Sequence, residues 1–273
     1  MEQLKLKVYA KLNLSLDIKG VLDDGYHSLD MIMESCSLYD ELTCTKSLEN
    51  EVYMDGILQD DKNTAYKALE VLSLAYGYKM KVEIKKHIPF SAGVGGSSAD
   101  AAGVFFAYGR LYGIEYEYMT KLALSVGSDV CYMIKGGPAK VRCKGEMVFP
   151  IENFKERYMV IAQKELGAPT GSVYKKYDEI GRIVEDDFEL DGIHIFNVLT
   201  KPATILQPSI QDTINDLKKY TPHVFMTGSG SAVCGVFETK GLAEECLNKL
   251  DESYAFKQVI STMPNGVDVI EEI

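Results

Sequence analysis

One segment narrows what this chain can become more than any other: Ile88-Pro89-Phe90-Ser91-Ala92-Gly93-Val94-Gly95-Gly96-Ser97-Ser98-Ala99-Asp100-Ala101-Ala102. Upstream of it, Met80-Lys81-Val82-Glu83-Ile84 alternates apolar and polar residues, as a strand with one exposed face does. Pro89 stops that strand, and the small residues downstream predict a helix from about Ser98 to Tyr112, closed by Gly113. Glycines let a backbone approach a phosphate and adopt positive φ, while the free N–H groups and dipole of a helix start hold an anion. Ser97 and Ser98 can add hydroxyl donors, and Ala101 and Ala102 keep the helix thin against a sheet. Two other glycine motifs do not fit. The Walker pattern needs Gly-Lys-Ser/Thr, and no lysine stands here; G-x-G-x-x-G fails because Gly93-Val94-Gly95 is followed three residues on by Ser98. By itself the loop suits a tight turn with a packed small-residue helix equally well.

The rest of the chain supplies the frame. Leu4 to Ile18 reads as strand, Asp23-Asp24-Gly25 as a turn, and Asn63 to Tyr76 as a helix ending at Gly77. Met119 to Val126 reads as a helix and Gly136 to Pro150 as hairpin material. Further strands are expected at Tyr158 to Ala162, Val224 to Met226 and Val233 to Phe237, with helices at Ile210 to Tyr220 and Leu242 to Leu250. Strands and helices alternate in both halves, which means α/β or α+β. In 273 residues this suits two domains, 1–150 and 151–273.

Charge and cysteine usage exclude several classes. With 29 Lys+Arg against 40 Asp+Glu and no basic block, the chain lacks the electrostatic footprint of a general nucleic-acid binder. The N-terminus, Met1 to Ala10, is interrupted by charge at once, so it reads as neither signal peptide nor anchor. No apolar run approaches the roughly 20 residues of a membrane span, and a cytoplasmic protein is expected. Cys36, Cys44, Cys131, Cys143, Cys234 and Cys246 form no C-x-x-C pair and read as small core residues. The four histidines do not lie at zinc-ligand spacing from them.

Three segments together resemble the GHMP kinases, the small-molecule kinases that include galactokinase, homoserine kinase and mevalonate kinase. They are the loop from Pro89 to Ala99, the N-terminal Ala10-Lys11-Leu12-Asn13-Leu14-Ser15-Leu16, and the C-terminal Met226-Thr227-Gly228-Ser229-Gly230-Ser231-Ala232-Val233. They occur in family order across nearly the whole chain. Asp24-Gly25-Tyr26-His27-Ser28-Leu29, Leu38-Tyr39-Asp40-Glu41-Leu42, Gly127-Ser128-Asp129-Val130 and Gly136 to Val141 are similar to the branch whose acceptor is a cytidine diphosphate conjugate of the non-mevalonate isoprenoid pathway.

The resemblance implies a two-domain α+β fold, ribosomal-protein-S5-domain-2-like at the N-terminus and ferredoxin-like at the C-terminus. It implies ATP-dependent phosphorylation of a hydroxyl, with Mg²⁺ on the phosphates and its ligands unassigned. Lys11 and Asp129 match the catalytic pair: Asp129 takes the proton of the acceptor hydroxyl and Lys11 stabilises charge beside it. Pro89 to Ala99 match the ATP loop. Asn13, Tyr26, His27, Gly228, Ser229 and Gly230 fall on the acceptor side, Tyr26 and His27 at its cytidine end. Asn63 and Lys67 match positions near the nucleotide. Asp100 reads either as a residue that steadies the helix start or as an ordinary first-turn carboxylate. The implied partners are small molecules only, in a monomer or homodimer.

Departures from the family pattern stand at Leu22, Ser97, Ala99, Cys131 and Val198, and bear on the acceptor more than on the reaction. Taken singly, Lys11 suits a solvated strand face, Asp129 a loop or cap, and Gly228-Ser229-Gly230 a hairpin loop. Two rivals remain: a GHMP kinase for a sugar or amino-alcohol, and a non-catalytic nucleotide-binding relative, against which the presence of both Lys11 and Asp129 speaks.

Overall fold

The alternation near the N-terminus extends into a single strand, β1 (Gln3–Val21), which turns at Asp23-Asp24-Gly25 and returns as β2 (His27–Ser47). In this computed structural model, which describes residues 1–152 and 155–273, the two strands pair antiparallel over nearly their whole length. The hairpin β3 (Glu51–Met54) and β4 (Ile57–Leu58) follows, then α1 (Thr64–Tyr76), β5 (Lys79–Lys85), α2 (Gly96–Tyr112), α3 (Tyr116–Val126), α4 (Val130–Lys135) and the hairpin β6 (Ala139–Cys143) and β7 (Met147–Pro150). The second half runs β8 (Tyr158–Gln163), α5 (Thr170–Ile180), β9 (Phe188–Leu190), β10 (Ile193–Asn197), α6 (Thr200–Leu206), α7 (Ser209–Lys218), β11 (Val224–Met226), β12 (Val233–Phe237), α8 (Lys240–Lys249), β13 (Phe256–Met263) and β14 (Val267–Glu272).

The strands run in the order β11-β12-β8-β13-β2-β1-β10-β9, with β14 also on β1 and with β5 and β6 on β2. Most neighbours are antiparallel; β1–β10 and β3–β5 are parallel. This is an α+β fold, the class expected. β13 joins the two halves where Thr262 and Met263 pair with Cys36 and Ser35, and β14 brings the end of the chain back to Leu4–Val8. Among the described residues, no helix is long and apolar enough to cross a membrane.

Local chemistry explains the elements that position the site. Asn63 caps α1 by accepting from Ala65 N at 2.8 Å and Tyr66 N at 3.3 Å, and Gly77 closes it at φ 82°. α2 begins at Gly96, two residues before the expected start, because Gly95 at φ 74° already turns the chain into the helix. Its small face lets it lie close on the sheet: a Cβ at Gly103 would stand 2.5 Å from Val8 Cγ1. In β1 the alternation of burial stops at Val8, and from there to Ile18 every residue is buried. Lys11, Asn13, Ser15 and Asp17 are therefore polar groups inside the molecule, where each needs a partner. Cys143 corrects one expectation. Five cysteines are buried, but Cys143 ends β6 at a turn, with φ 60° and partial exposure, because the core stops there.

Candidate active site

Lys11 is out of solvent because the glycine loop lies across it. Lys11 N donates to Val94 O at 3.0 Å, and a Cβ at Gly95 would stand 3.2 Å from Lys11 Cγ. Its Nζ donates to Asn13 Oδ1 at 2.5 Å and lies 3.5 Å from Asp129 Oδ2. Asp129 stands at the start of α4, yet its side chain caps nothing, which leaves the carboxylate to face Lys11 and the cavity. The solvated-face and capping readings of these two residues are thereby replaced by a facing pair, with Lys11 buried and Asp129 half-buried at the cavity.

The loop itself is shaped as an anion cradle. Gly93 and Gly95 take φ of 77° and 74°. The N–H groups of Val94 to Ser98 find no acceptor among the described residues, as expected where a helix N-terminus awaits an anion. Opposite it stands the second glycine motif. A Cβ at Gly93 would meet Thr227 O at 2.6 Å; one at Gly228 would meet Gly93 O at 2.5 Å and lie 3.2 Å from Lys11 Nζ. The two loops thus meet backbone to backbone, tied further by Ala232 N donating to Ala92 O at 3.2 Å.

Beneath the loop lies a buried charge cluster that sequence reasoning did not assemble. Lys86 Nζ bonds Asp40 Oδ2, and Asp100 Oδ2 at 2.7 Å. Asp40 Oδ1 accepts from His87 N at 2.6 Å and Ile88 N at 2.9 Å, fixing the strand that enters the loop. Asp100 is thus no exposed first-turn carboxylate. Burial pushes its carboxyl up to about 8 against the pull of Lys86, and its Oδ1 has no hydrogen-bond partner among the described residues.

The far end is aromatic. His27 Nε2 lies 2.8 Å from Asp178 Oδ1, and its ring sits 4.9 Å from that of Tyr174 on α5. Tyr26 is 61% exposed, with Lys144 Nζ 4.8 Å above its ring. Thr170 Oγ1 and Ser229 Oγ, 3.0 Å apart, join α5 to the glycine motif.

One cavity of about 780 Å³ is lined by Lys11, Asn13, Tyr26, His27, Asp129, Gly228, Ser229 and the loop from Pro89 to Ser98. Ala99 and Gly230 lie outside that lining, as do Asn63, spent on its cap, and Lys67. Tyr174, Thr170, Lys86 and Lys144 line it too, and no sequence signal marked them. Among the described residues no group of three or more His, Cys, Asp or Glu could cage a metal. What the cavity does offer is the Asp129 carboxylate and the Ser98 hydroxyl, which lies 3.8 Å from where a Cβ would stand on Gly127, just before Ser128-Asp129. Such a set suits Mg²⁺, which binds through one or two oxygen ligands plus phosphates and water.

Comparison with known proteins shows the family. The family model described as "GHMP kinases N terminal domain" matches residues 63–141, and "GHMP kinases C terminal" matches 169–255. The chain belongs to the GHMP kinase family. It is 34% identical to the 4-diphosphocytidyl-2-C-methyl-D-erythritol kinase of Clostridium kluyveri over 94% of this chain and 98% of that one. It is 32% identical to the kinase of the same name from Clostridium tetani, over 92% of this chain and 97% of the relative. A crystal structure of 4-(cytidine 5'-diphospho)-2C-methyl-D-erythritol kinase superposes with a TM-score of 0.77 at 26% identity, covering 94% of this chain and 98% of the other.

Proposed function

We propose that the chain is a cytoplasmic, ATP-dependent kinase that phosphorylates a hydroxyl of 4-diphosphocytidyl-2-C-methyl-D-erythritol in the non-mevalonate isoprenoid pathway. The observation that carries this reading is the Lys11–Asp129 pair, 3.5 Å apart, between a phosphate cradle and an aromatic end in one cavity. Asp129 accepts the proton of the acceptor hydroxyl, and Lys11 stabilises the charge that moves. The unspent N–H groups of Val94 to Ser98 hold the triphosphate. Ser98 and Asp129 would hold Mg²⁺, which neutralises phosphate charge. At the far end the cytosine stacks on Tyr26 and Tyr174, while His27 bonds its edge.

Turnover of ATP with this acceptor tests the reading. Asp129→Asn is expected to lower kcat by about 10²–10⁴-fold, and retained turnover would remove Asp129 as the base. His27→Ala is expected to raise KM for the acceptor and leave KM for ATP in place. Equal turnover of a sugar or amino-alcohol without a cytidine group would transfer the chain to another branch of the family.

A further inference from the structure

Thr227 ties the Gly228 loop to β1 by accepting from Asn13 N at 2.9 Å, and a side chain from β10 grips its carbonyls. Asn197, the last residue of that strand, is buried and uses its whole amide. Its Nδ2 donates to Met226 O at 2.9 Å and to Gly228 O at 2.8 Å, and its Oδ1 accepts from Leu199 N at 2.9 Å. One planar NH₂ therefore grips the glycine motif on both sides of Thr227. The peptide between Gly228 and Ser229 is trans, and in a trans peptide the C=O and N–H point in opposite directions. Holding the Gly228 carbonyl toward Asn197 turns the Ser229 N–H away from it, to the side of the cavity that both residues line. That N–H has no acceptor among the described residues. The other gripped peptide differs, since the Thr227 N–H is spent within the loop on Ala232 O at 3.1 Å. A Cβ at Gly228 would stand 3.2 Å from Lys11 Nζ, so the aimed donor opens beside the catalytic pair.

We propose that Asn197 is a positioning residue for phosphoryl transfer: by holding the Gly228 carbonyl it aims the Ser229 N–H at an oxygen of the transferring phosphoryl group. The inference rests on the kinase reading above. A fixed donor placed where charge develops stabilises the transition state more than the ground state, so its loss falls on kcat.

Asn197→Asp keeps the size of the side chain and replaces its NH₂ with an acceptor facing two carbonyls. In folded protein, kcat is expected to fall about 100-fold while KM for ATP and for the acceptor stay within about 3-fold. Activity relative to wild type should recover as pH is lowered, because a protonated carboxyl regains one donor. A role in folding alone would lower the yield or the melting temperature and leave kcat of the folded fraction at the wild-type value, which overturns the proposal. An amide-to-ester replacement at residue 229 removes the aimed N–H and leaves the Asn197 side chain in place, weakening the Gly228 carbonyl only as its acceptor. It is expected to reproduce the loss in kcat with thermal unfolding unchanged, and an ester protein at wild-type kcat overturns the proposal even where Asn197→Asp does not fold. Wild-type protein that turns over no acceptor removes the kinase reading and this inference together. Wild-type turnover with unaltered variants removes this inference alone.

Discussion

Lys86 shows how much of the site's order depends on charge held beneath the glycine loop. Its ammonium lies between two buried carboxylates, and one of them, Asp40, also holds the two backbone N–H groups that lead into the glycine loop. Removing one partner of such a cluster leaves charge uncompensated out of water. Lys86→Met is therefore expected to destabilise the protein by about 3–5 kcal/mol, read as a lower denaturant midpoint, and to weaken ATP binding because the loop loses its anchor. Asp100→Asn should be close to neutral at pH 7, since burial already holds that carboxyl toward its protonated form and Asn keeps an oxygen for Lys86. A large loss of stability in Asp100→Asn would show that the second negative charge is needed. Sequence reading found Asp40 and Asp100 only as members of motifs, because nothing in the spacing of residues 40, 86 and 100 announces that they converge.

Among the elements, legibility followed periodicity. α1 and the β6–β7 hairpin could be read from the chain because caps, glycines and regular spacing are local signals. β2 could not be traced as one strand. Its inward positions Leu38, Asp40, Leu42 and Cys44 alternate correctly, but a buried aspartate breaks the apolar pattern, as Glu34 does nearer its middle. α5 was missed for a related reason: only Val173 in it is buried, and Tyr174 gains its place in the cavity from tertiary packing. Lys11, Asp129 and the glycine loops were legible because they stand in motifs written as residue types. α2 shows how tight the packing behind such a motif is. At Gly103 a Cβ would stand 2.5 Å from Val8 Cγ1 and 2.6 Å from Leu42 Cδ2, so Gly103→Ala must displace those packed side chains or push the helix off the sheet. Overpacking of this kind costs about 1–3 kcal/mol, more than the roughly 1 kcal/mol that alanine gains over glycine in a helix. A lower melting temperature is expected, together with a higher KM for ATP, because α2 carries the anion cradle at its start.

At the scale of the whole molecule, the two halves are held by charge as well as by strands. Arg157, just before β8, reaches Glu34 in the middle of β2 with Nη1–Oε distances of 2.9 and 3.0 Å, and donates from Nε to Asp191 at 3.1 Å. Burial raises the Glu34 carboxyl from 4.5 to about 7, against the opposing pull of Arg157. The folded protein then binds this proton more tightly than the unfolded chain. The stability linked to it is fully present below about pH 4.5 and is lost as pH rises through about 7, by up to about 3 kcal/mol. Unfolding free energies of wild type and Glu34→Gln, measured from pH 4.5 to 8, should diverge with that slope; parallel curves would place the Glu34 proton elsewhere. The meeting of Gly93 with Gly228 has a different kind of consequence. Where two peptide chains touch with no side chain between them, selection has nothing to vary, so the centre of the cavity is closed to gradual change. Side chains that can change line the cavity away from that contact, Tyr26, His27 and Tyr174 among them. The chemistry of such a protein is inherited as a fixed part, while its choice of substrate stays open to evolution.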